Sequence, residues 1–381
     1  MSMNHHTAAF RNAALLLGLF ALAGCSRLPS GGDVNPDGPA QASLSVTLAD
    51  YSSSQPFTKA SYSDSDVLYT HERIVEDCAL YLFDASDAFV DNGQGQKVFD
   101  PARAKQITSG KSAAFTRTDL GNGRLRVDFS LDKPCTSLAV LMLANFGDLL
   151  YNVSSIPGKG TSLQEMIDWF SFTTDPTGLE VRSQADYLAH GIPMHGFGLY
   201  DQIRHLQGTT TQLQGDLVLT YALCRLRIRC DAAFTQAGLL GAELLGSRRR
   251  MRVLPVGFPS APATPFDSVS DIGSQDNIAF VPAGDGSLIA YVPELNTGAA
   301  QPEPSLRVSI QEGNRTITYA KNLISVTEGG STISYGDPAA TAWTRMISLA
   351  ASPDGQHPAG TRFNLVRHFT YEWIATGLTN Q

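Results

Sequence analysis

Residues 137–144 read SLAVLMLA, an apolar run in which Ser137 is the single polar residue. Residues 79–83, ALYLF, have the same character. A strand that is covered on both faces shows a continuous apolar run, whereas a half-exposed strand alternates between apolar and polar residues. Both runs are short and are followed by turn-forming residues, so they predict central strands of a β-sandwich.

Two further segments predict strands with one buried face. Residues 44–48 (LSVTL) and residues 125–129 (LRVDF) alternate with a period of two residues. Because successive side chains of a strand point to opposite faces, this alternation places the apolar residues of each segment on a single face. We expect both segments to pack that face against the core.

The first half of the chain contains one clear helix signal. Ser162 can cap a helix, and Glu165 then stands at the third helical position, which is the spacing of a capping box. Apolar residues follow on one face as far as Phe170. We therefore expect an all-β fold with one or two short helices, of which this amphipathic helix is the main one in the first half.

The second half is a series of predicted strands separated by turns. Residues 203–214 are polar and are predicted to link two domains, and residues 217–230 are predicted to form one long strand. Later strands are predicted at residues 306–310, 316–319, 346–350 and 363–374. Many short strands with frequent turn signals predict two β-sandwich domains.

The N-terminal residues have the pattern of a lipoprotein signal peptide. The apolar run at residues 13–23 is shorter than the ~20 residues that span a bilayer. It leads into Gly24 and Cys25, where small residues admit a signal peptidase and the thiol can be lipidated. Several acyl chains on Cys25 would anchor the protein without a transmembrane helix.

These segments divide the chain into four predicted regions. Residues 1–24 are the signal peptide, and residues 25–41, which are polar and rich in glycine and proline, are a flexible tether. Residues 42–204 are the N-terminal β-sandwich domain, and residues 205–381 are the C-terminal β-sandwich domain.

Charge and motifs favour a structural or binding role. The formal net charge of −8 argues against a nucleic-acid partner, because no broad basic field is available to neutralise phosphates. No nucleophile elbow, zinc-protease helix or phosphate-binding glycine loop occurs in the sequence. We therefore predict that the protein is not an enzyme and binds neither a cofactor nor a metal.

Four cysteines follow Cys25, and their spacings fit no zinc or redox motif. Cys224 and Cys230 would lie roughly 20 Å apart on one strand, which is too far for a disulfide. A disulfide between Cys78 and Cys135 is left open by the sequence.

The order of these features resembles the fimbrillin family of Bacteroidales, which comprises the type V pilins and their accessory subunits. A lipid-attachment motif and a tether precede the strand at residues 44–48, and residues 79–84 are similar to a strand of the family that ends in aspartate. Further similar segments are the Ala144-Asn145 step, residues 192–196 (IPMHG), residues 223–228 (LCRLRI) and residues 365–371 (LVRHFTY). His368 stands where the family pattern has asparagine.

The resemblance implies two transthyretin-like β-sandwich domains and assembly by strand exchange. In the family, a protease cuts after an arginine and removes the first strand, and a strand of the neighbouring subunit fills the groove. Here the expendable strand would carry Leu44, Val46 and Leu48, and the candidate cleavage lies between Lys59 and Ala60. Lysine stands in place of arginine, which departs from arginine-specific maturation.

The resemblance also implies a place and a role. The protein would be anchored in the cell outer membrane through lipidated Cys25 and would join a fimbrium at the cell surface. Its partners would be other fimbrial subunits and a host or bacterial surface ligand. Because only residues 375–381 follow the last predicted strand, a minor subunit is expected rather than a shaft pilin.

Two questions stay open at this point. The short tail favours a tip subunit, whereas the missing arginine favours an anchor subunit. The alternative function is a monomeric outer-membrane surface lipoprotein that binds a glycan or a protein without polymerising.

Overall fold

The computed structural model of the chain describes residues 39–49, 52–53, 69–107, 112–132, 134–147, 156–171, 179–203, 210–230, 237–248, 250–255, 258–259, 275–294, 305–320, 323–336, 365 and 367–375. The predicted signal peptide, Cys25, Lys59 and Ala60 lie outside the described residues, as does the strand predicted at residues 346–350.

The described residues form mainly strands, and the all-β prediction is confirmed. The strands in chain order are β1 (Ala40–Leu48), β2 (Ser52–Ser53), β3 (Cys78–Asp84), β4 (Phe89–Asp91), β5 (Lys97–Phe99), β6 (Lys105–Gln106), β7 (Phe115–Gly121), β8 (Arg124–Leu131), β9 (Cys135–Ala144), β10 (Leu179–Glu180), β11 (Met194–Ile203), β12 (Thr210–Tyr221), β13 (Cys224–Cys230), β14 (Ala237–Arg248), β15 (Arg250–Met251), β16 (Gln275–Ala279), β17 (Val281–Pro282), β18 (Leu288–Val292), β19 (Ser305–Glu312), β20 (Arg315–Ala320), β21 (Leu323–Glu328), β22 (Ser331–Gly336) and β23 (Phe369–Ala375). The helices of the described residues are a 3-10 helix (Thr70–Arg73), α1 (Leu163–Phe170) and α2 (Gln184–His190).

The first sandwich is built from an eight-stranded sheet with the order β6-β3-β9-β11-β12-β1-β8-β7. β11 pairs with β9 along its length but meets β12 only at Met194 and His195, so the two halves of the sheet diverge there. Buried residues of both halves, such as Leu141 and Val127, belong to one core. The halves therefore act as the two layers of a sandwich.

The two continuous apolar runs lie in the middle of the first half. β3 pairs with β9 from Cys78 opposite Ala144 to Asp84 opposite Leu138, and β9 pairs with β11 on its other side. Residues 138–144 are all buried. The prediction that residues 137–144 form a central strand is confirmed.

The helix prediction is also confirmed, because its signal is local. The Ser162 hydroxyl accepts a hydrogen bond from the Glu165 amide, and the Glu165 carboxylate accepts one from the Ser162 amide. These are the reciprocal bonds of a capping box. The apolar face of α1, which ends in Phe170, is buried.

The second sandwich has two separate sheets. The five-stranded sheet has the order β17-β18-β13-β23-β2, and the six-stranded sheet has the order β16-β14-β19-β20-β21-β22. Their apolar faces share a second core, to which Leu226 of β13 and Val308 of β19 belong. The remaining described strands form two-stranded ribbons, β4 with β5 and β10 with β15.

The prediction of one long strand at residues 217–230 is wrong. β12 ends at Tyr221, and β13 begins at Cys224, after two intervening residues, in the other sandwich. Between them, the Ala222 amide donates to the Pro193 carbonyl and the Leu223 carbonyl accepts from the His368 amide, so the backbone leaves the first sheet. The chain therefore changes sandwich at residues 222–223 rather than at the predicted boundary between residues 204 and 205.

Other predicted boundaries shift for similar reasons. Of the predicted linker 203–214, residues 203 and 210–214 belong to β11 and β12, and both strands lie in the first sheet. β1 begins at Ala40, inside the predicted tether, because Ala40 is buried and pairs with Leu131. The last strand begins only at Phe369, since His368 has a φ of 68° and interrupts the extended backbone.

The positions of the cysteines settle the disulfide question. Cys78 pairs with Ala144 at one end of β9, whereas Cys135 lies at the other end. The distance between them is roughly 30 Å at ~3.3 Å per residue, far beyond the reach of a disulfide. Cys78, Cys135, Cys224 and Cys230 are all free thiols.

Candidate strand-exchange site

β1, the strand predicted to be expendable, occupies the middle of a sheet. It pairs with β8 in antiparallel fashion from Ala40 opposite Leu131 to Thr47 opposite Arg124, without interruption. On its other edge it pairs with β12 in parallel fashion, ending with Leu48 opposite Leu219. Both backbone edges of β1 are therefore used, and its removal would leave β8 and β12 each with an unpaired edge.

The inner face of β1 is part of the first core. Ala40, Ala42, Leu44 and Val46 are each 0% exposed, whereas Leu48 at the end of the strand is half-buried. Burying one Leu or Val side chain contributes about 1.5–3 kcal/mol. The structure thus brings Leu44 and Val46 together on one buried face, as the alternation of residues 44–48 predicts.

The residues that flank this face define an apolar slot. On β8, Leu125 is opposite Val46, Val127 is opposite Leu44 and Phe129 is opposite Ala42. Leu217, on β12, is the other neighbour of Val46. We call the space that β1 fills between β8 and β12 the β1 slot.

Beyond β1 the chain crosses to the second sandwich. The Leu48 amide donates to the Gly123 carbonyl at 3.1 Å, and the Ala49 amide donates to the Leu219 carbonyl at 2.9 Å. Ser52 and Ser53 then pair in parallel with the start of β23. Lys59 and Ala60, the predicted cleavage residues, follow outside the described residues.

The chain returns at the 3-10 helix, where a buried ion pair ties it to the second sandwich. Glu72 is fully buried, and its two carboxylate oxygens accept hydrogen bonds from Arg225 Nη1 at 2.9 and 3.0 Å. Arg225 is buried in β13, and its Nε donates to the Thr370 hydroxyl at 3.1 Å. A buried ion pair is sustained only when further hydrogen bonds satisfy both groups, as they do here.

Two aromatic side chains and a histidine extend this network. The Tyr291 hydroxyl donates its one proton to Glu72 Oε1 at 2.7 Å. His71 Nε2 lies 2.6 Å from the same hydroxyl oxygen and therefore donates its N–H to it. The Tyr221 hydroxyl donates to the Glu72 carbonyl at 2.9 Å. We call Glu72, Arg225, Tyr291 and His71 the junction network.

Burial controls protonation in the junction network. It raises the pKa of the Glu72 carboxyl, and the Arg225 guanidinium and the hydrogen bonds from Tyr291 and Tyr69 oppose that shift. Burial, together with the positive charge of Arg225, lowers the pKa of His71 to about 4. His71 is therefore neutral at pH 7.

The segments that carry the family resemblance also contain buried polar side chains. Asn145 has a φ of 60°, and its side-chain amide donates to the carbonyls of Ile74 and Ile192. Arg367 donates to both carboxylate oxygens of Glu294, at 3.1 and 2.6 Å. These residues fix turns and strand ends, which is a structural role.

The sequence did not reveal the junction network. Arg225 lies between Cys224 and Leu226, and this apolar setting for a charged residue is the one available signal. Glu72 stands in a polar segment with no local pattern around it. The pairing of Glu72 with Arg225 depends on how the two sandwiches meet.

A cleft of about 400 Å³ lies elsewhere on the surface, and its lining combines the polar residues Arg182, Arg248, Asp276 and Asn277 with apolar residues such as Val181 and Ile278. Within the described ranges, no group of three His, Cys, Asp or Glu side chains is placed to hold a metal. No helix in the described part of the chain is long and apolar enough to cross a membrane.

No protein-family model matches the chain, and no curated protein matches it. Among solved structures, the chain is similar to the tip fimbrial protein Mfa3 from Porphyromonas gingivalis with C-terminal truncation, at 15% identity over 89% of this chain and 96% of that chain, with a TM-score of 0.45. It is similar to a candidate cell adhesion protein from Parabacteroides distasonis, at 12% identity over 74% of this chain and 81% of that chain, with a TM-score of 0.42. It is also similar to the fimbrial anchor protein Mfa2 from Porphyromonas gingivalis, at 10% identity over 84% and 88% of the two chains, with a TM-score of 0.25.

The solved structures that this chain is similar to therefore include fimbrial and cell-adhesion proteins.

Proposed function

We propose that the chain is a minor structural or adhesive subunit of a cell-surface fimbria, exported as a lipoprotein through Cys25 and joined to a neighbouring subunit by strand exchange. The observation that carries this proposal is the position of β1. It precedes every other described strand, yet it lies between β8 and β12 with Leu44 and Val46 fully buried.

Loss of β1 would create a strong acceptor for another strand. The unpaired amides and carbonyls of β8 and β12 would face each other across an apolar slot, and an extended segment can satisfy both edges at once. The occupant would run parallel to β12 and antiparallel to β8, as β1 does.

The junction network supports removal of β1 without loss of the rest of the fold. A cut between Lys59 and Ala60 would separate β1 and β2 from all later strands. The new N-terminal segment would stay attached through the ion pair of Glu72 with Arg225, because Arg225 lies on β13 of the second sandwich and not in the β1 slot.

The proposal covers two kinds of minor subunit. A tip subunit would lose β1 and accept a strand, whereas an anchor subunit would keep β1 and its lipid on Cys25. In both cases lipidation of Cys25 accounts for delivery to the outer membrane, because several acyl chains give stable anchoring.

The test is limited proteolysis followed by assembly. A lysine-specific protease should cut first after Lys59, and the cut chain, mixed with a subunit that has a free donor strand, should form a complex that resists detergent until heated. Lys59→Ala should block both the cut and the complex, whereas Lys97→Ala, at an exposed lysine of β5, should block neither. A cut chain that forms no such complex with any co-expressed fimbrial subunit would refute strand exchange.

A monomeric surface lipoprotein that binds a glycan or a protein is the second candidate, and the cleft that contains Asp276 and Asn277 favours it. A volume of about 400 Å³ suits a small ligand, and Asp276 and Asn277 provide acceptors and donors for hydroxyl groups. A glycan that binds the uncut monomer and is lost in Asp276→Ala, but not in Asp119→Ala on β7, would support it.

A further inference from the structure

β1 does not fit its slot equally well along its length. Its pairing with β12 shifts between Ser43, opposite Gln212, and Ser45, opposite Asp216. β12 therefore places residues 213–215 opposite Leu44 alone, and Gly215 adopts a φ of 89° to accommodate the bulge. The ladder between β1 and β12 is broken in the middle of the strand.

A buried hydroxyl lies next to this break. Ser43 is 5% exposed, and its Oγ has no hydrogen-bond partner among the described residues. Its cross-strand neighbours, Asp128 on β8 and Gln212 on β12, do not satisfy it. A buried polar group without a partner is destabilising, so this position favours a residue without a hydroxyl.

On the inner face of β1, opposite the face that carries Ser43, the neighbouring positions admit only small side chains. Ala42 is 0% exposed and stands opposite Phe129, and Ala40 stands opposite Leu131. A large residue of β8 thus meets a small residue of β1 at each of these positions. Extra carbon atoms at position 42 would overpack the core.

We infer that the partner strand that replaces β1 in its slot carries a small apolar residue in register with Ser43. The residue in register with Ala42 is no larger than alanine, and residues of Leu and Val size follow in register with Leu44 and Val46. This inference rests on the proposed function and names the partner segment that the slot selects.

The first test uses the intact chain and does not require strand exchange. Ser43→Ala should slow hydrogen exchange of the β8 and β12 amides about tenfold, which corresponds to about 1.4 kcal/mol. The matched control is Ser45→Ala, because Ser45 is on the same face of β1 and is half-buried but has no orphaned hydroxyl. Equal exchange rates in the two variants would overturn the inference.

The second test measures which strands replace the severed β1 in its slot. The lipid-free mature chain, with a specific protease site replacing residues 57–62, is cut and mixed with labelled peptides of the β1 sequence AQASLSVTL. The peptide with Ser43→Ala should be retained about tenfold better than the native peptide, the peptide with Ser45→Ala should equal the native peptide, and the peptide with Ala42→Leu should not be retained.

The outcomes separate the two proposals. Peptides that enter without preference at positions 42 and 43 would overturn the inference and leave strand exchange standing. Exclusion of every peptide, including the native one, would instead overturn the proposed function. Retention in the expected order supports both.

Discussion

Replacing Leu44 by alanine tests whether β1 is a separable part of the first sandwich. Leu44 is 0% exposed and stands opposite Val127 in the core. Removing a buried leucine side chain loses its transfer free energy and leaves a cavity, which together cost about 3 kcal/mol. If β1 detaches as a unit, the population of the detached state should rise by about 150-fold, since 1.4 kcal/mol corresponds to a factor of ten.

Hydrogen exchange of backbone amides measures this change strand by strand. In Leu44→Ala, the amides of β8 and β12 that face β1 should lose protection by about two powers of ten. The amides of β3 and β9, in the other half of the sheet, should keep their protection. Thr47→Ala is the control, because Thr47 is half-buried on the opposite face of β1.

Two results would refute the reasoning. A uniform loss of protection in β3, β9, β8 and β12 would mean that β1 opens only with the whole sandwich. A loss in Thr47→Ala as large as that in Leu44→Ala would mean that burial of the inner face does not hold the strand in place.

Three further predictions concern the junction network and the lipid anchor. Glu72→Gln should lower the free energy of unfolding by about 3–5 kcal/mol in urea titrations, because it leaves Arg225 as a buried charge without a counterion. Adding Arg225→Met to this variant should restore most of the lost stability. Equal stability of the single and the double variant would contradict a paired charge. The folded-state pKa of His71 lies near 4, below its unfolded value near 6.5, so the folded state binds fewer protons and stability should fall as the pH drops from 6.5 towards 4. The slope of Tm against pH should be smaller in His71→Gln. An unchanged slope would exclude His71 as a cause of the pH dependence. Cys25→Ala should abolish labelling by a palmitate analogue and membrane association, and label retained on the variant would refute lipidation at Cys25.

Signals confined to neighbouring residues predicted the structure well. The apolar run at residues 137–144 predicted β9, and the spacing of Ser162 and Glu165 predicted the start of α1. The alternation at residues 44–48 predicted the buried face that contains Leu44 and Val46. In each case the pattern depends on backbone geometry over a few residues, so the sequence carries it completely.

Signals that depend on distant segments did not predict it. Apolar residues continue from β12 into β13, and nothing local shows that the Pro193 carbonyl and the His368 amide divert the backbone between them. Glu72 and Arg225 are 153 residues apart in the chain. Their contact forms only when the 3-10 helix packs against the second sandwich.

The sequence alone therefore determined that this chain is an all-β protein with an alternating strand near its start, and it predicts a lipoprotein signal that no structural observation tests. Only the tertiary structure decided that this strand lies between β8 and β12, and that the Ser43 hydroxyl is buried without a partner. The physical reason is that the amides and carbonyls along a strand are the same for every sequence. Which strands they join is set by the packing of side chains from the whole chain.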